Sequence, residues 1–297
     1  MLNSKVFDIP AQARDLCRPR TMRMLLRQVD LRLNRKLGQH LLADAGVLRA
    51  IMRHVQQGDH DRILEVGPGL GCLTVCLADV AERVVTVEID ARMLALLDAT
   101  LAFHTNVEMV HQDAVAFDPS PYFGESPYML AANLPYSVAT PVIRQLIAHP
   151  AGPQRMVVML QREVAARVSA APGDMSYLSL FMQTYAETNH LFAVPAQAFF
   201  PPPQVNSAVV EVVKRPQPYF PAEAVPDVLR LAQAGFSQRR KQVHNSVRSL
   251  LRIDDEHMRW LLEEAGISPQ CRPQELSLDA WFALHQAVKA DGLLIGS

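Results

Sequence analysis

Four cysteines, two tryptophans and a formal charge of −1 leave little in the bulk composition of this 297-residue chain to announce a function. Cys17, Cys72, Cys76 and Cys271 follow neither zinc-site spacing nor a disulfide framework, so they read as reduced thiols in a cytosolic setting. The ten histidines form no HExxH or comparable cluster, and no resident metal is expected. No apolar run is long enough to cross a bilayer. Lys5, Asp8 and Pro10 interrupt the opening residues, where a signal peptide would carry its apolar stretch. Internal repeats and low-complexity tracts are missing too. What is left is an ordinary soluble composition, with length for one large domain and a smaller one.

The near-zero charge is an average over an uneven distribution. Between Arg14 and Lys36 the basic residues Arg14, Arg18, Arg20, Arg23, Arg27, Arg32, Arg35 and Lys36 face only Asp15 and Asp30. A second run, Arg239, Arg240 and Lys241, continues through His244, Arg248 and Arg252. On a helix Lys241, His244, Arg248 and Arg252 share one side and would form a basic stripe for RNA phosphates, together with the amino-terminal arm. A merely solvated helix face is the alternative. Asp8, Asp15 and Asp30 weigh against reading the arm as an organelle address, so a cytoplasmic location is expected.

Hydrophobic patterning divides the rest of the chain. Positions 44–55 have helical periodicity, and short apolar strands at 62–66, 84–89, 107–111, 128–132 and 156–160 then alternate with helical stretches, as in a wound parallel sheet. Strand-like sequence near 188–194 and 205–213 would add an antiparallel pair at one edge. After Pro216-Gln217-Pro218 the pattern turns to helices at 224–234, 241–251, 256–265 and 278–288. The expected organisation is a basic arm (1–36), an α/β domain (37–217) and a small all-helical domain (218–297). Its fold class is a Rossmann-like, seven-stranded sheet of the class I methyltransferase type.

Two motifs carry chemistry. Gly67-Pro68-Gly69-Leu70-Gly71 joins a strand to a helix, and glycines there let the backbone approach a ligand closely. Its G-x-G-x-G spacing departs from the dinucleotide pattern. Glu88 ends the next strand, placed for ribose hydroxyls, and Asp113 follows the third strand, placed for an adenine amine. Together they favour S-adenosylmethionine over a nicotinamide nucleotide; a packing turn with solvated carboxylates is the bland alternative. The second motif, Asn133-Leu134-Pro135-Tyr136, leaves the carboxyl end of a strand, with Pro141 opening a helix soon after. An amide, a rigid proline and an aromatic ring in succession suit a flat base bearing an exocyclic amine. The Asn133 side-chain oxygen and the Leu134 carbonyl would accept from that amine, Pro135 would fix the turn, and Tyr136 would stack on the base. Asn133 as a turn former and Tyr136 as core packing are the structural alternatives.

With 37–42 (LGQHLL), 65–71, 133–136, 160–164 (LQREV), 199–207 (FFPPPQVNS) and 236–246 (FSQRRKQVHNS) in this order, the chain resembles the KsgA family of small-subunit ribosomal RNA adenine dimethyltransferases from about Pro19 onward. The resemblance implies that His40 and Leu42 touch S-adenosylmethionine along with Gly67, Gly69, Gly71, Glu88, Asp113 and Asn133. It implies two adjacent adenosines near the 3′ end of small-subunit rRNA as substrate, Phe199 on the second face of the base, and a carboxyl-terminal module that meets the ribosome. Either Phe199 or Phe200 can instead staple the proline loop that follows. Bacterial members usually read GQNFL, whereas this chain has His40 and Leu41 in place of Asn and Phe. A monomer that works on the small ribosomal subunit is expected. The rivals are the related enzyme that dimethylates one adenine of large-subunit rRNA, and a non-catalytic assembly or transcription factor on the same fold.

Overall fold

The computed structural model describes residues 7–33, 38–57, 61–238 and 241–293. These fall into two compact units, one within Met1–Ala165 and Asn189–Lys214, the other within Ala166–Thr188 and Arg215–Ser297. The sequence draws one boundary after 217, whereas the units part at 214–215 and the second also takes 166–188 from the middle of the chain.

The first departure from expectation is at the amino terminus. Within the basic arm, helices α1 (Ala11–Leu16) and α2 (Pro19–Gln28) lie in the first unit. Ile9, Ala13, Leu16 and Cys17 are buried in the sheet core, and Met22 and Leu26 enter a second apolar cluster with Leu41, Leu70, Met93 and Leu96. Apolar residues at three- and four-residue spacing run beneath the arginines, and their burial holds the segment down.

Strand β1 (Leu41–Leu42) is followed by α3 (Ala45–Val55), whose start is set by Asp44 accepting from the amides of Gly46 and Val47. Then come β2 (Arg62–Val66), α4 (Cys72–Ala78), β3 (Arg83–Glu88), α5 (Ala91–Thr100), β4 (Val107–His111), α6 (Ser120–Phe123), β5 (Met129–Asn133), α7 (Ala139–Ala148) and β6 (Arg155–Gln161). Short α8 (Arg162–Val168) leads to α9 (Tyr177–Tyr185), β7 (Ala186–Val194), β8 (Phe199–Phe200) and β9 (Ser207–Lys214). A seven-stranded sheet runs β4-β3-β2-β5-β6-β9-β7, parallel from β4 to β6, with β9 antiparallel to β6. The strands β2, β3, β5 and β6 are almost continuous buried apolar runs, as strands covered on both faces require. The two-residue strands β1 and β8 pair separately, Leu41 with Phe200 and Leu42 with Phe199.

The second unit gathers α9 with α10 (Val225–Phe236), α11 (Val243–Leu251), α12 (Asp255–Glu264) and α13 (Leu278–Ala290). Their apolar faces meet around Trp281, which is fully buried among Val228, Leu231, Val247 and Leu261. Among the described residues no helix is long and apolar enough to cross a membrane.

Candidate active site

Strand order sets the site. From β2 the chain proceeds to β3 and β4 on one side, while β5 and β6 lie on the other. The carboxyl ends of β2 and β5 therefore border the crevice where a wound sheet takes its ligand. A cavity of about 270 Å³ opens there, lined by His40, Leu42, Gly67, Gly69, Glu88 and the whole of Asn133-Leu134-Pro135-Tyr136.

Two glycines allow these loops to meet. Gly67 has φ +68°, and a β-carbon on it would come within 3.1 Å of the Pro135 ring. Gly38 has φ +72°, and a β-carbon there would sit 2.8 Å from the Tyr136 nitrogen. Any larger residue at either place would be strained in backbone and would push the tetrapeptide away from the sheet.

The polar groups are each half occupied. Asn133 Nδ2 donates to the His40 carbonyl at 3.1 Å. A carbonyl only accepts, so this bond fixes which end of the amide is which and leaves Oδ1 open to the cavity. His40 is held in turn by Nδ1 donating to the Pro201 carbonyl at 2.7 Å. The Tyr136 hydroxyl meets Ser207 Oγ at 2.6 Å, and its ring lies tilted against His40 with centroids 5.6 Å apart. Burial lifts the Tyr136 phenol above its ordinary value, so it is neutral. Glu88 Oε1 accepts from the amides of Ile89 and Asp90 at 2.8 and 2.9 Å, which leaves its second oxygen for a ligand. Burial raises this carboxyl above its usual range, and the two amides work against that rise.

Three of the expected site residues lie outside the lining of this cavity. Asp113 is exposed, and its carboxylate accepts from Val115 N at 2.9 Å as the cap of a 3₁₀ turn, outside the cavity lining. Gly71 caps α4 and faces Leu97, where a β-carbon would lie 3.2 Å from Cδ2, so it serves packing on α5. Phe199 is 3% exposed in the apolar core and presents no face to a base. Paired strands alternate their side chains, so β8 turns Phe199 inward and leaves Phe200 half-buried under the Arg23 guanidinium, 4.9 Å from the ring centroid.

The structure also brings in residues that sequence reasoning missed. Met22 and Met93 line the cavity from α2 and α5, and Glu65 lies beside it on β2. The signal for Met22 was its spacing with Leu26 within the stretch read only as basic. Glu65 is 1% exposed and accepts from Thr74 Oγ1 at 2.7 Å; burial pushes its carboxyl up to about 8, so it is a neutral acid at pH 7.

The carboxyl-terminal stripe is corrected as well. Helix α11 begins at Val243, after Lys241, and Arg252 follows its end with φ +57°. His244 is 3% exposed, with Nε2 3.2 Å from Asp255 Oδ1. Arg248 approaches the same oxygen at 3.5 Å, and Arg259 binds the other at 2.8 Å. His244 is therefore a core residue, while Lys241 and Arg252 are exposed. Arg239 and Arg240 lie outside the described residues.

Comparison with known proteins places this arrangement. A ribosomal RNA small subunit methyltransferase A of Geobacillus sp. (strain WCH70) is 35% identical over 286 residues, covering 93% of this chain and 98% of the relative. The protein of the same name from Dehalococcoides mccartyi is 37% identical over 255 residues, 86% of this chain and 88% of the relative. The crystal structure of a dimethyladenosine transferase from Plasmodium falciparum superposes with a TM-score of 0.72 at 25% identity, covering 86% of this chain and 99% of that one. Residues 30–289 match the family described as ribosomal RNA adenine dimethylase, and the chain belongs to that family.

Proposed function

We propose that the protein uses S-adenosylmethionine to dimethylate N6 of two adjacent adenosines near the 3′ end of small-subunit ribosomal RNA. Asn133 carries this reading: its amide is tied at Nδ2 and open at Oδ1, at the mouth of the crevice and beside a neutral, anchored tyrosine.

The N6 lone pair of adenine is delocalised into the ring, which makes the amine a poor nucleophile. An acceptor held against its hydrogens favours the tetrahedral amine and the positive charge that develops as it attacks. Asn133 Oδ1 supplies that acceptor, and the Leu134 carbonyl is the second. Pro135 limits the turn that carries them. The Tyr136 ring, fixed through Ser207, offers its face to the base, and such stacking contributes about 1–3 kcal/mol.

The residues that line the cavity support S-adenosylmethionine as the cofactor. Glu88 keeps one carboxylate oxygen for ribose hydroxyls, and Gly67 and Gly69 leave the loop without side chains where a ligand approaches. His40 and Leu42 line the same space. The bound cofactor supplies a sulfonium methyl as the electrophile. The protein's own share is orientation and exclusion of water, effects that lower a barrier when two reactants are held in line. The small subunit is the partner, and the cytoplasm is the compartment in which it would be met, by a monomer of this chain.

The test is methyl transfer from labelled S-adenosylmethionine to undermethylated small and large subunits, followed by nuclease digestion and mass spectrometry. Dimethyladenosine confined to small-subunit RNA is expected. Label on large-subunit RNA would assign the protein to the resistance-type reaction, and no label with intact cofactor binding would leave an assembly factor.

A further inference from the structure

Helix α2 has two faces with different chemistry. Inward, Met22 and Leu26 are buried, and Met22 lines the cavity. Outward, Arg20, Arg23 and Arg27 are exposed, at successive spacings of three and four. The helix itself contains no acidic residue, and among the described residues none of the three makes an ion pair. The neighbouring arginines differ: Arg14 pairs with Asp8 at 3.0 Å and Arg18 with Asp15 at 3.3 Å. Arg23 additionally lies over Phe200, which pairs with Leu41 beside the cavity.

We infer that the outer face of α2 is the RNA-binding ridge that delivers the target strand to the cavity, with Arg20, Arg23 and Arg27 on successive phosphates. This rests on the proposed rRNA substrate. Seven residues of helix span about 10 Å, enough to meet two or three neighbouring phosphates of one strand. Arginine presents a planar fork that matches phosphate oxygens. Phe200 lies under the Arg23 guanidinium and helps to set its position. Because one rigid helix carries the ridge and the Met22 wall together, the strand it grips is registered against the cavity by the same element that closes it.

The experiment measures binding of the full-length protein to undermethylated small subunits, and to their deproteinised RNA, over a range of salt. In R20A/R27A, with Arg23 retained over Phe200, affinity for both is expected to fall about tenfold or more. The slope of log affinity against log salt should flatten by about 1.4, for two lost single-strand phosphate contacts. S-adenosylmethionine affinity should stay within about twofold and show that the fold is intact. R20K/R27K should recover most of the slope, since a point charge still meets phosphate. An unchanged slope and affinity in R20A/R27A, while the wild type methylates small subunits, would overturn the ridge and leave the enzyme reading standing. Loss on whole subunits but not on bare RNA would also overturn it, in favour of a ribosomal protein contact. Failure of the wild type to label the small subunit, with cofactor bound, would instead count against the rRNA reading itself.

Discussion

Helix α2 repeats arginines at three- and four-residue spacing and α11 carries His244 and Arg248 four apart, yet the basic residues of α11 turn to one carboxylate while those of α2 face outward. In α11, His244 and Arg248 turn to Asp255, which Arg259 of α12 also holds, and the Arg259 bond is the main reason that carboxyl lies below its ordinary range. In α2, no anion answers Arg20, Arg23 or Arg27 among the described residues. Spacing decides which residues share a side of a helix. Whether that side meets solvent, and whether an anion waits there, is decided by elements distant in sequence. The same contrast extends to the crevice, where Asn133 and Glu88 each have one atom bound and one open. Charges that close on each other hold a fold, and groups left half-bonded at an opening are available to a ligand.

The largest expected effect tests the open end of Asn133. Asn133→Ala should lower kcat by about 10²–10³, the usual cost of removing one acceptor or donor that acts on developing charge. Cofactor affinity, measured by calorimetry, should change by no more than about twofold. Turnover at the wild-type rate would show that the open amide is a bystander, and the contrast with the closed pairs of α11 would lose its functional meaning.

Glu65 makes the cost of such an opening measurable as stability. Its carboxyl is ordinary at 4.5 when unfolded and about 8 when folded, chiefly because of burial. Below pH 4.5 both states hold the proton; between 4.5 and 8 the folded state holds it and the unfolded state has released it. Stability should therefore fall as pH rises through this window and level off above it, by on the order of a few kcal/mol. Urea denaturation of Glu65→Gln should lack that slope. A slope that persists in the variant would assign it to other groups.

On the closed side, His244→Ala should cost about 2 kcal/mol, since it empties a buried site and strips a partner from Asp255. Denaturant midpoints would show it, and S-adenosylmethionine binding should not move. If stability were kept and subunit binding lost, His244 would belong to the RNA after all, and the distinction between the two helices would fail.

Much of this was legible in the chain. Apolar runs mark the five parallel strands to within a residue or so, most plainly β2, β3, β5 and β6, because strands buried on both faces cannot hide polar positions. The glycine loop and the tetrapeptide are equally plain, because only certain residues tolerate those turns. Burial of Phe199 was not legible: which of two adjacent phenylalanines points inward depends on pairing with Leu41 and Leu42, more than 150 residues earlier. Asp113 fits an adenine amine as well as it fits a 3₁₀ cap, and position alone cannot separate them. Met22 was obscured by its arginines, since a charged run draws attention from the apolar period beneath it.

The smallest effect sharpens the comparison at the end of α11. Arg252 sits at φ +57°, with its amide bonded back to Arg248 O at 2.9 Å, a left-handed position that glycine occupies without steric penalty. Arg252→Gly should therefore leave stability unchanged or raise it by up to about 0.5–1 kcal/mol. A charge kept at a strained position for no benefit to the fold invites a role outside it. If Arg252 and its exposed neighbour Lys241 touch rRNA phosphates, the variant should bind undermethylated small subunits more weakly, with a salt slope flatter by about 0.7 for one lost contact. That is half the change expected for R20A/R27A, which ranks the two surfaces on one scale. Greater stability with no change in slope would remove Arg252 from the RNA contact and leave the ridge of α2 as the stronger of the two surfaces.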